Sequence, residues 1–211
     1  MAFSYPVTLN LQGRRCTVVG GGMVALRKVK SLLAEHAQVT VISPVLHEEL
    51  TQLASQFEWI AEPYQDGMLE GSFLVIAATD KREVNHQVAQ WCEANQVLVN
   101  VADSREESSF TVNAAVRRGD LLIAISTDGA SPAVSRAIRM QLEAQFGEEY
   151  GVMLELMEAA RKKAMETIHD EGKRRAFLQQ LAEMNLQEQL KVESKEEVQK
   201  RVELCLSSYW A

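Results

Sequence analysis

Hydrophobic positions in the first hundred residues fall into short runs that are separated by longer stretches of helical pattern. The short runs occupy residues 14–19, 38–42, 57–60, 73–78 and 97–101. Between them, residues 23–35, 48–56 and 81–94 have the spacing of helices. Residues 73–78 (FLVIAA) are continuously apolar, as a parallel strand buried on both faces requires. This alternation predicts βαβ units and a parallel sheet with helices on both faces.

The pattern changes after the fifth predicted strand. Residues 109–112 and 121–126 are predicted strands without a long helix between them, and we expect them to pair as a hairpin-like extension. From Pro132 onward the predicted elements are helices, at residues 132–146, 150–168, 173–184 and 195–208. Ser194 and Glu197 form a capping-box pattern before the last helix. We therefore expect three parts, residues 1–113, 114–148 and 149–211.

Three consecutive glycines join the first predicted strand to the first predicted helix. Gly20 permits a tight turn, and Gly22 allows the backbone to approach a pyrophosphate closely. Ala25 fills the third small position of the pattern, where it lets the helix pack on the strand. The helix begins at Met23 and Val24, whose N–H groups would face the phosphates. This turn predicts a dinucleotide site in a Rossmann-type unit, and a flexible loop without a ligand is the alternative.

The ends of the other strands supply the remaining walls of such a site. Ser43 and Pro44 end the second strand, where an acidic residue would hold the ribose hydroxyls of NAD and an arginine would accept the 2′-phosphate of NADP. Neither is present, and we favour NAD. Thr79 ends the fourth strand and Asn100 belongs to the end of the fifth, so both are expected at the cofactor. Asp80, which follows Thr79, is expected to cap the next helix, and a place at the cofactor site is the alternative.

Composition and charge narrow the classes of partner. The chain of 211 residues has a formal net charge of −7, which disfavours nucleic acid as the main partner. No apolar run reaches the ~20 residues of a membrane span, and the N-terminus lacks the pattern of a signal peptide, so a cytoplasmic protein is expected. The three cysteines have no disulfide or zinc spacing and are interpreted as reduced thiols. The four histidines also lack ligand spacing, and no metal site is predicted.

Several short motifs, in order and in spacing, carry a resemblance to a known family. They are the glycine turn with Arg27 and Lys28, the Ala77–Asp80 segment with Val84 and Asn85, Asn100 with Asp103, Ser109 with Phe110, and the Ser126–Pro132 segment. Over roughly residues 5–145 the chain resembles precorrin-2 dehydrogenase, which also forms the N-terminal part of siroheme synthases. The last ~60 residues match only in being helical.

The resemblance implies both an activity and an architecture. Members of this family oxidise precorrin-2 to sirohydrochlorin with NAD. The implied fold is α/β, a Rossmann-type parallel sheet followed by a small strand-containing dimerisation region and a C-terminal helical domain. The implied assembly is a homodimer whose strands pair across subunits, with each active site in a cleft between domains. The family's catalytic aspartate matches Asp103, which follows the fifth strand and is expected to be the base. A turn or capping carboxylate is the structural alternative for this residue.

A tetrapyrrole with many carboxylates requires cations and backbone donors. Residues 114–140 carry four arginines and are the only net positive part of the chain. Within them Arg117 and Arg136, together with Thr127, Gly129 and Ser131 at a helix start, are the expected substrate contacts. Thr127 replaces a serine of some bifunctional relatives, so a regulatory or chelation-related feature of that serine is not carried over.

Two other functions remain open at this point. The first is a bifunctional dehydrogenase that also inserts ferrous iron into sirohydrochlorin, with Asp103 as the proton acceptor from the pyrroles. The second is a regulatory module that binds NAD without turnover. A carboxylate at Asp103 followed by an arginine-bearing segment favours an enzyme, because a sensor needs no base there.

Overall fold

The computed structural model describes residues 5–209, which divide into two compact units, residues 5–112 and 113–209. The first unit contains one sheet of five strands, in the order β3-β2-β1-β4-β5. Its strands are β1 (Arg15–Val19), β2 (Gln38–Ile42), β3 (Glu58–Ile60), β4 (Leu74–Ala77) and β5 (Leu98–Val101). All neighbouring strands are parallel, as predicted. The strand order reverses between β1 and β4, which is where ligands bind in open sheets of this kind.

Helices cover both faces of the sheet because alternate strand residues point to opposite sides. The helices are α1 (Met23–Ala34), α2 (Glu48–Thr51), which is followed by a 3₁₀ turn at Ala54–Gln56, and α3 (Arg82–Ala94). In β4, Leu74 and Ile76 pack in the core that contains α1. Val75 and Ala77 pack in the second core, which contains α3. The unbroken apolar run of this strand is therefore explained by burial on both faces.

The second unit begins with a two-stranded antiparallel hairpin. Its strands are β6 (Ala114–Arg118) and β7 (Leu121–Ile125), which pair directly through a two-residue turn. Gly119 takes a φ of +55 at the first position of that turn, a backbone conformation that glycine adopts without strain. The core-facing side of the hairpin includes Val116, which is buried.

The predicted strand at residues 109–112 is wrong, and its place in the hairpin is taken by β6. Ser109 accounts for the difference, because its N–H donates to the Val99 carbonyl and its hydroxyl accepts from the Val99 N–H. The segment is thus held to β5 by one main-chain and one side-chain hydrogen bond and forms no regular ladder. The true strand was missed because Arg117 and Arg118 interrupt its apolar pattern.

Five helices complete the second unit: α4 (Pro132–Gln145), α5 (Glu149–Thr167), α6 (Glu171–Glu183), α7 (Leu186–Leu190) and α8 (Lys195–Ser207). The last four surround a core that includes Phe177, which is fully buried. The predicted capping box is confirmed, since the Ser194 hydroxyl accepts from the Glu197 N–H and the Glu197 carboxylate accepts from the Ser194 N–H. The short helix α7 was not predicted. No helix among residues 5–209 is both long enough and apolar enough to cross a membrane.

All three cysteines are free thiols, in agreement with the sequence-based interpretation. Cys16 in β1 and Cys92 in α3 are fully buried. Burial raises the pKa of Cys16 from 9.0 to about 11 and that of Cys92 to about 12. The folded state therefore binds the thiol protons more tightly than the unfolded chain does.

This difference predicts a loss of stability in alkaline solution. The contribution of the two thiols is complete below pH ~9 and is lost as the pH rises toward about 11 for Cys16 and about 12 for Cys92, because only the unfolded chain ionises them in that range. In this pH range, ionisation of each thiol in the unfolded chain should lower the free energy of unfolding by about 1 kcal/mol per pH unit. Urea unfolding at pH 8 and pH 10 measures the loss. The Cys16→Ala/Cys92→Ala double variant is the control and should show a shallower pH dependence; equal slopes would contradict the prediction.

Candidate functional site

A cavity of about 700 Å³ opens at the carboxyl ends of β1, β2 and β4. It lies at the switch point of the sheet, where the strand order reverses. Seven of the eight residues expected at a cofactor line it: Gly20, Gly22, Met23, Val24, Ser43, Pro44 and Thr79. The eighth, Asn100, lies in β5, where its side-chain amide donates to the Phe110 carbonyl (3.1 Å).

The glycine turn forms the first wall of the cavity, and its glycines have different roles. Gly20 has a φ of +125, and a Cβ built on it would overlap the carbonyl oxygen of Ala78. A Cβ on Gly21 would overlap the carbonyl oxygen of Val45. These two positions therefore allow the ends of the three strands to approach one another. Gly21 was not predicted to matter individually, although the triple glycine itself was the available signal.

Gly22 differs from its neighbours because its hydrogen faces open space. Its φ is −87, which any residue adopts, and a Cβ built there has no atom within 4 Å. Gly22 is also the N-cap of α1, with no side chain capping the helix. The first N–H groups of α1, at Met23 and Val24, consequently have no intrahelical partner. Unfilled space beside free donors at a helix N-terminus fits the pyrophosphate of a dinucleotide.

The second wall follows β2. The Ser43 hydroxyl donates to the Val45 carbonyl (2.7 Å), so it is used within the loop. His47 also lines the cavity, and its Nδ1 accepts from the Glu49 N–H at the start of α2. Tyr64 reaches the cavity from the segment after β3, and burial together with Asp66 raises its pKa to about 12. Neither His47 nor Tyr64 was predicted, because neither belongs to a motif of the glycine turn.

The third wall is the turn after β4, at Thr79, Asp80 and Lys81. The expectation that Asp80 caps α3 is wrong, because the N-cap residue is Lys81 and no side chain caps that helix end. The Thr79 hydroxyl takes over the local contacts instead, accepting from the Lys81 N–H (3.2 Å) and bonding Asn85 (2.7 Å). Asp80 is exposed and faces the cavity.

Asp103 lies two residues beyond β5, at the same edge of the sheet as the cavity. One carboxylate oxygen accepts from the Asn85 side-chain amide (2.9 Å), and the other lies 3.6 Å from the Arg82 guanidinium. The Asp103 side chain is 44% exposed and so remains accessible to a reactant. Because Asn85 also bonds Thr79, a single buried side chain connects the cavity wall to this carboxylate.

The residues expected to bind substrate all lie in the second unit. Thr127 accepts from the Ser131 N–H (3.3 Å), and its hydroxyl bonds that of Ser135 (3.0 Å). Ser131 caps α4 by accepting from the Val134 N–H, as predicted. Gly129 is exposed with a φ of +79.

The four arginines of residues 114–140 fall into two pairs. Arg117 and Arg136 are exposed. Arg118 donates to the Phe146 carbonyl (2.9 Å), and Arg139 forms an ion pair with Glu143 on the same helix. Arg118 and Arg139 therefore have structural roles. Within residues 5–209, no group of three or more His, Cys, Asp or Glu side chains is arranged to hold a metal.

Comparison with known proteins identifies the family. A family model described as putative NAD(P)-binding matches residues 7–114, a little over half of the chain. The chain belongs to this NAD(P)-binding family. A second model, described as sirohaem biosynthesis protein central, matches residues 118–145. The dinucleotide predicted from the glycine turn is thus the class of cofactor that the family description names.

Two curated relatives and one solved structure extend the likeness. The siroheme synthase of Mannheimia succiniciproducens is 36% identical over 96% of this chain and 43% of its own length. That of Thioalkalivibrio sulfidiphilus is 38% identical over 85% of this chain and 37% of its own length. The chain therefore spans about two-fifths of these relatives. The structure of SirC, precorrin-2 dehydrogenase, matches with a TM-score of 0.78 and 27% identity, covering 95% of this chain and 100% of that chain. The fold and the family resemblance predicted from the motifs are confirmed.

The different roles of the glycines predict a variant that binds poorly but folds well. Gly22→Ala should change the thermal midpoint by no more than a few degrees, since the new Cβ meets no protein atom and the poorer N-cap is offset by the lower entropy of the unfolded chain. The same methyl group would stand where the pyrophosphate approaches, and NADH affinity should fall about tenfold or more. Titration of nucleotide fluorescence measures the affinity. Gly172→Ala, the same change in α6, is the matched control and should bind NADH as the wild type does. Unchanged affinity in Gly22→Ala would contradict the assignment of this turn.

Proposed function

We propose that this chain is an NAD-dependent dehydrogenase that oxidises precorrin-2 to sirohydrochlorin. The observation that carries the proposal is the Asp103 carboxylate, which is held beside a dinucleotide-type cavity through Asn85 and Thr79. The likeness to siroheme synthases and to a solved precorrin-2 dehydrogenase supports the same substrate. A regulatory module that only binds nucleotide would have no use for an accessible carboxylate at this position.

NAD would lie with its pyrophosphate at the start of α1 and along Gly22. We assign NAD rather than NADP because residues 43–47 (SPVLH) contain no arginine or lysine to receive a 2′-phosphate. Free, buried cysteines are consistent with a reducing compartment, and we propose the cytoplasm as the site of action.

The chemistry divides between the cofactor and the protein. Bound NAD supplies the hydride acceptor. Oxidation of precorrin-2 removes two hydrogens, one as hydride and one as a proton, and the Asp103 carboxylate accepts the proton. Its partial exposure admits the substrate, while the Asn85 contact limits its rotation.

The second unit provides groups suited to a substrate with many carboxylates. Arg117 and Arg136 are exposed and carry the positive charge that the carboxylates of such a substrate require. The start of α4, with Thr127, Gly129 and Ser131, adds a backbone environment that favours an anion. We propose these five residues as the substrate contacts.

Asp103→Asn tests the proposed base. The new amide oxygen can still accept from Asn85, so the fold and NADH binding should be preserved. The kcat for precorrin-2 should fall roughly 10²- to 10⁴-fold, the usual contribution of a positioned general base. The measurement is NADH formation from anaerobically prepared precorrin-2.

Asp120→Asn, in the exposed hairpin turn, is the matched control and should retain the wild-type rate. An Asp103→Asn rate equal to wild type would remove the proposed base. NADH binding without turnover in the wild type would favour the sensor.

We further propose that the chain forms a homodimer through the second unit. Two strands alone are marginally stable, and within the described residues neither outer edge of the β6–β7 hairpin has a strand partner. The outward face of the hairpin exposes Leu122, and α4 exposes an apolar row with the spacing of a helix–helix seam. The row consists of Ala133, Ala137, Met140 and Ala144. A second copy of the chain would cover both surfaces, as the family resemblance implies.

A charge placed in this row should separate the subunits. Met140 and Met165 are equally exposed, at 56%, and lie on α4 and α5 respectively. Met140→Glu should shift the protein from twice 23.6 kDa to one chain mass in sedimentation equilibrium, whereas Met165→Glu should remain dimeric. A monomeric wild type, or a Met140→Glu variant that stays dimeric, would contradict this interface.

A further inference from the structure

Asn85 is a fully buried polar residue on α3 that forms hydrogen bonds to the segments following β4 and β5. Its Oδ1 accepts from the Thr79 N–H (3.1 Å) and from the Thr79 hydroxyl (2.7 Å). Its Nδ2 donates to the Thr79 carbonyl (3.1 Å) and to one carboxylate oxygen of Asp103 (2.9 Å). A side-chain amide has two N–H donors and two acceptor lone pairs, so this one is completely satisfied.

We infer that Asn85 is a positioning residue, which holds the Asp103 carboxylate in the orientation required to accept the proton of the substrate. The inference rests on the proposed function, since it assigns Asn85 to the reaction in which Asp103 is the base. Three of the four hydrogen bonds fix the amide to Thr79, and the fourth is directed at Asp103. The amide is thus itself immobilised before it contacts the carboxylate.

Arg82 is the competing candidate for this role, and the geometry disfavours it. Its guanidinium lies 3.6 Å from Asp103 but only 3.0 Å from Glu107, so its charge is shared. The Arg82 side chain is 52% exposed, and solvent screens ion pairs at such positions. Glu107 in turn contacts His86 (2.7 Å), so Arg82 belongs to an ion-pair cluster that is centred on Glu107 and not on Asp103. The buried amide therefore determines the orientation of the carboxylate.

The chemical character of an amide suits this task. A neutral N–H donor restrains one oxygen of the carboxylate through a single hydrogen bond and leaves the other oxygen outside that contact. The second oxygen of Asp103 has no donor closer than Arg82 among the described contacts, and it is the atom available to the substrate.

Asn85→Asp tests the inference by a change of one functional group. The remaining acceptor oxygen can still bond the Thr79 N–H and hydroxyl, so the cofactor wall is retained. The donor to Asp103 is replaced by a repelling oxygen. We expect kcat for NADH formation from precorrin-2 to fall roughly 10- to 100-fold. The KM for NAD and the affinity for NADH should change less than about threefold.

Asn95→Asp makes the same change at the exposed C-terminal end of α3 and is the matched control. It should keep the wild-type kcat. A purely structural role of Asn85 would instead lower the thermal midpoint and NADH affinity together and leave kcat of the bound enzyme unchanged.

Asn85→Asp places a charge in a buried position and so could destabilise the fold. A second variant therefore tests the inference independently. The exchanged pair Asn85→Asp/Asp103→Asn has one carboxylate and restores an N–H···O bond between the two positions, with donor and acceptor reversed. Only the bond to the Thr79 carbonyl stays lost, so the thermal midpoint should lie between those of Asn85→Asp and the wild type. Its kcat should nevertheless remain as low as that of Asp103→Asn, because the carboxylate has moved to the buried position.

The outcomes separate the inference from the proposed function. If the wild type is active, either of two results overturns the positioning role alone. One is an unchanged kcat in Asn85→Asp, and the other is a wild-type kcat in the exchanged pair. Loss of NADH binding in Asn85→Asp also overturns it, because Asn85 would then act through the cofactor wall. A wild type that binds NADH but forms none from precorrin-2 overturns the proposed function and the role that depends on it.

Discussion

The site depends on the close approach of backbone segments at the glycine turn. Gly20 donates its N–H to the Ile42 carbonyl (2.9 Å), which extends the pairing of β1 with β2 beyond the strand ends. On the other side, the Ala78 N–H donates to the Val19 carbonyl (2.8 Å). A side chain at Gly20 or Gly21 would overlap backbone oxygens of the neighbouring loops. The three loops can therefore meet only because these positions lack a Cβ, and the cavity begins where the ladders stop.

Beyond this turn, one buried hydrogen-bond network and one exposed ion-pair cluster meet at Asp103. An exposed ion pair contributes about 0–1 kcal/mol, whereas leaving a buried amide unsatisfied costs about 1–3 kcal/mol. The network around Asn85 is therefore the stronger determinant of local geometry, and Arg82 with Glu107 mainly balances charge at the surface. The buried Asn85 amide thus fixes one side of the Asp103 carboxylate, while the carboxylate itself remains accessible to a reactant. A general base requires both properties.

The errors of the sequence-based predictions share a physical cause. Residues 109–112 have a strand-like composition, but Ser109 bonds the edge of β5 through its side chain, so no ladder forms. Asp80 has the residue type of a helix cap, yet the Thr79 hydroxyl occupies the local hydrogen bonds. In each case a competing partner, which composition does not reveal, decided the outcome.

Spacing along the chain was sufficient for the order of strands and helices in the first unit, for the glycine turn and for the location of Asp103 beyond β5. These features follow from local patterns, and a parallel sheet brings the carboxyl ends of its strands to one edge. Spacing could not reveal that Gly21 abuts the Val45 carbonyl or that Asn85 reaches Asp103 across 18 residues. Those contacts join separate segments, and their distances exist only after the sheet and α3 have packed. The order of elements is thus a property of the chain, whereas the orientation of the carboxylate is a property of the packed fold.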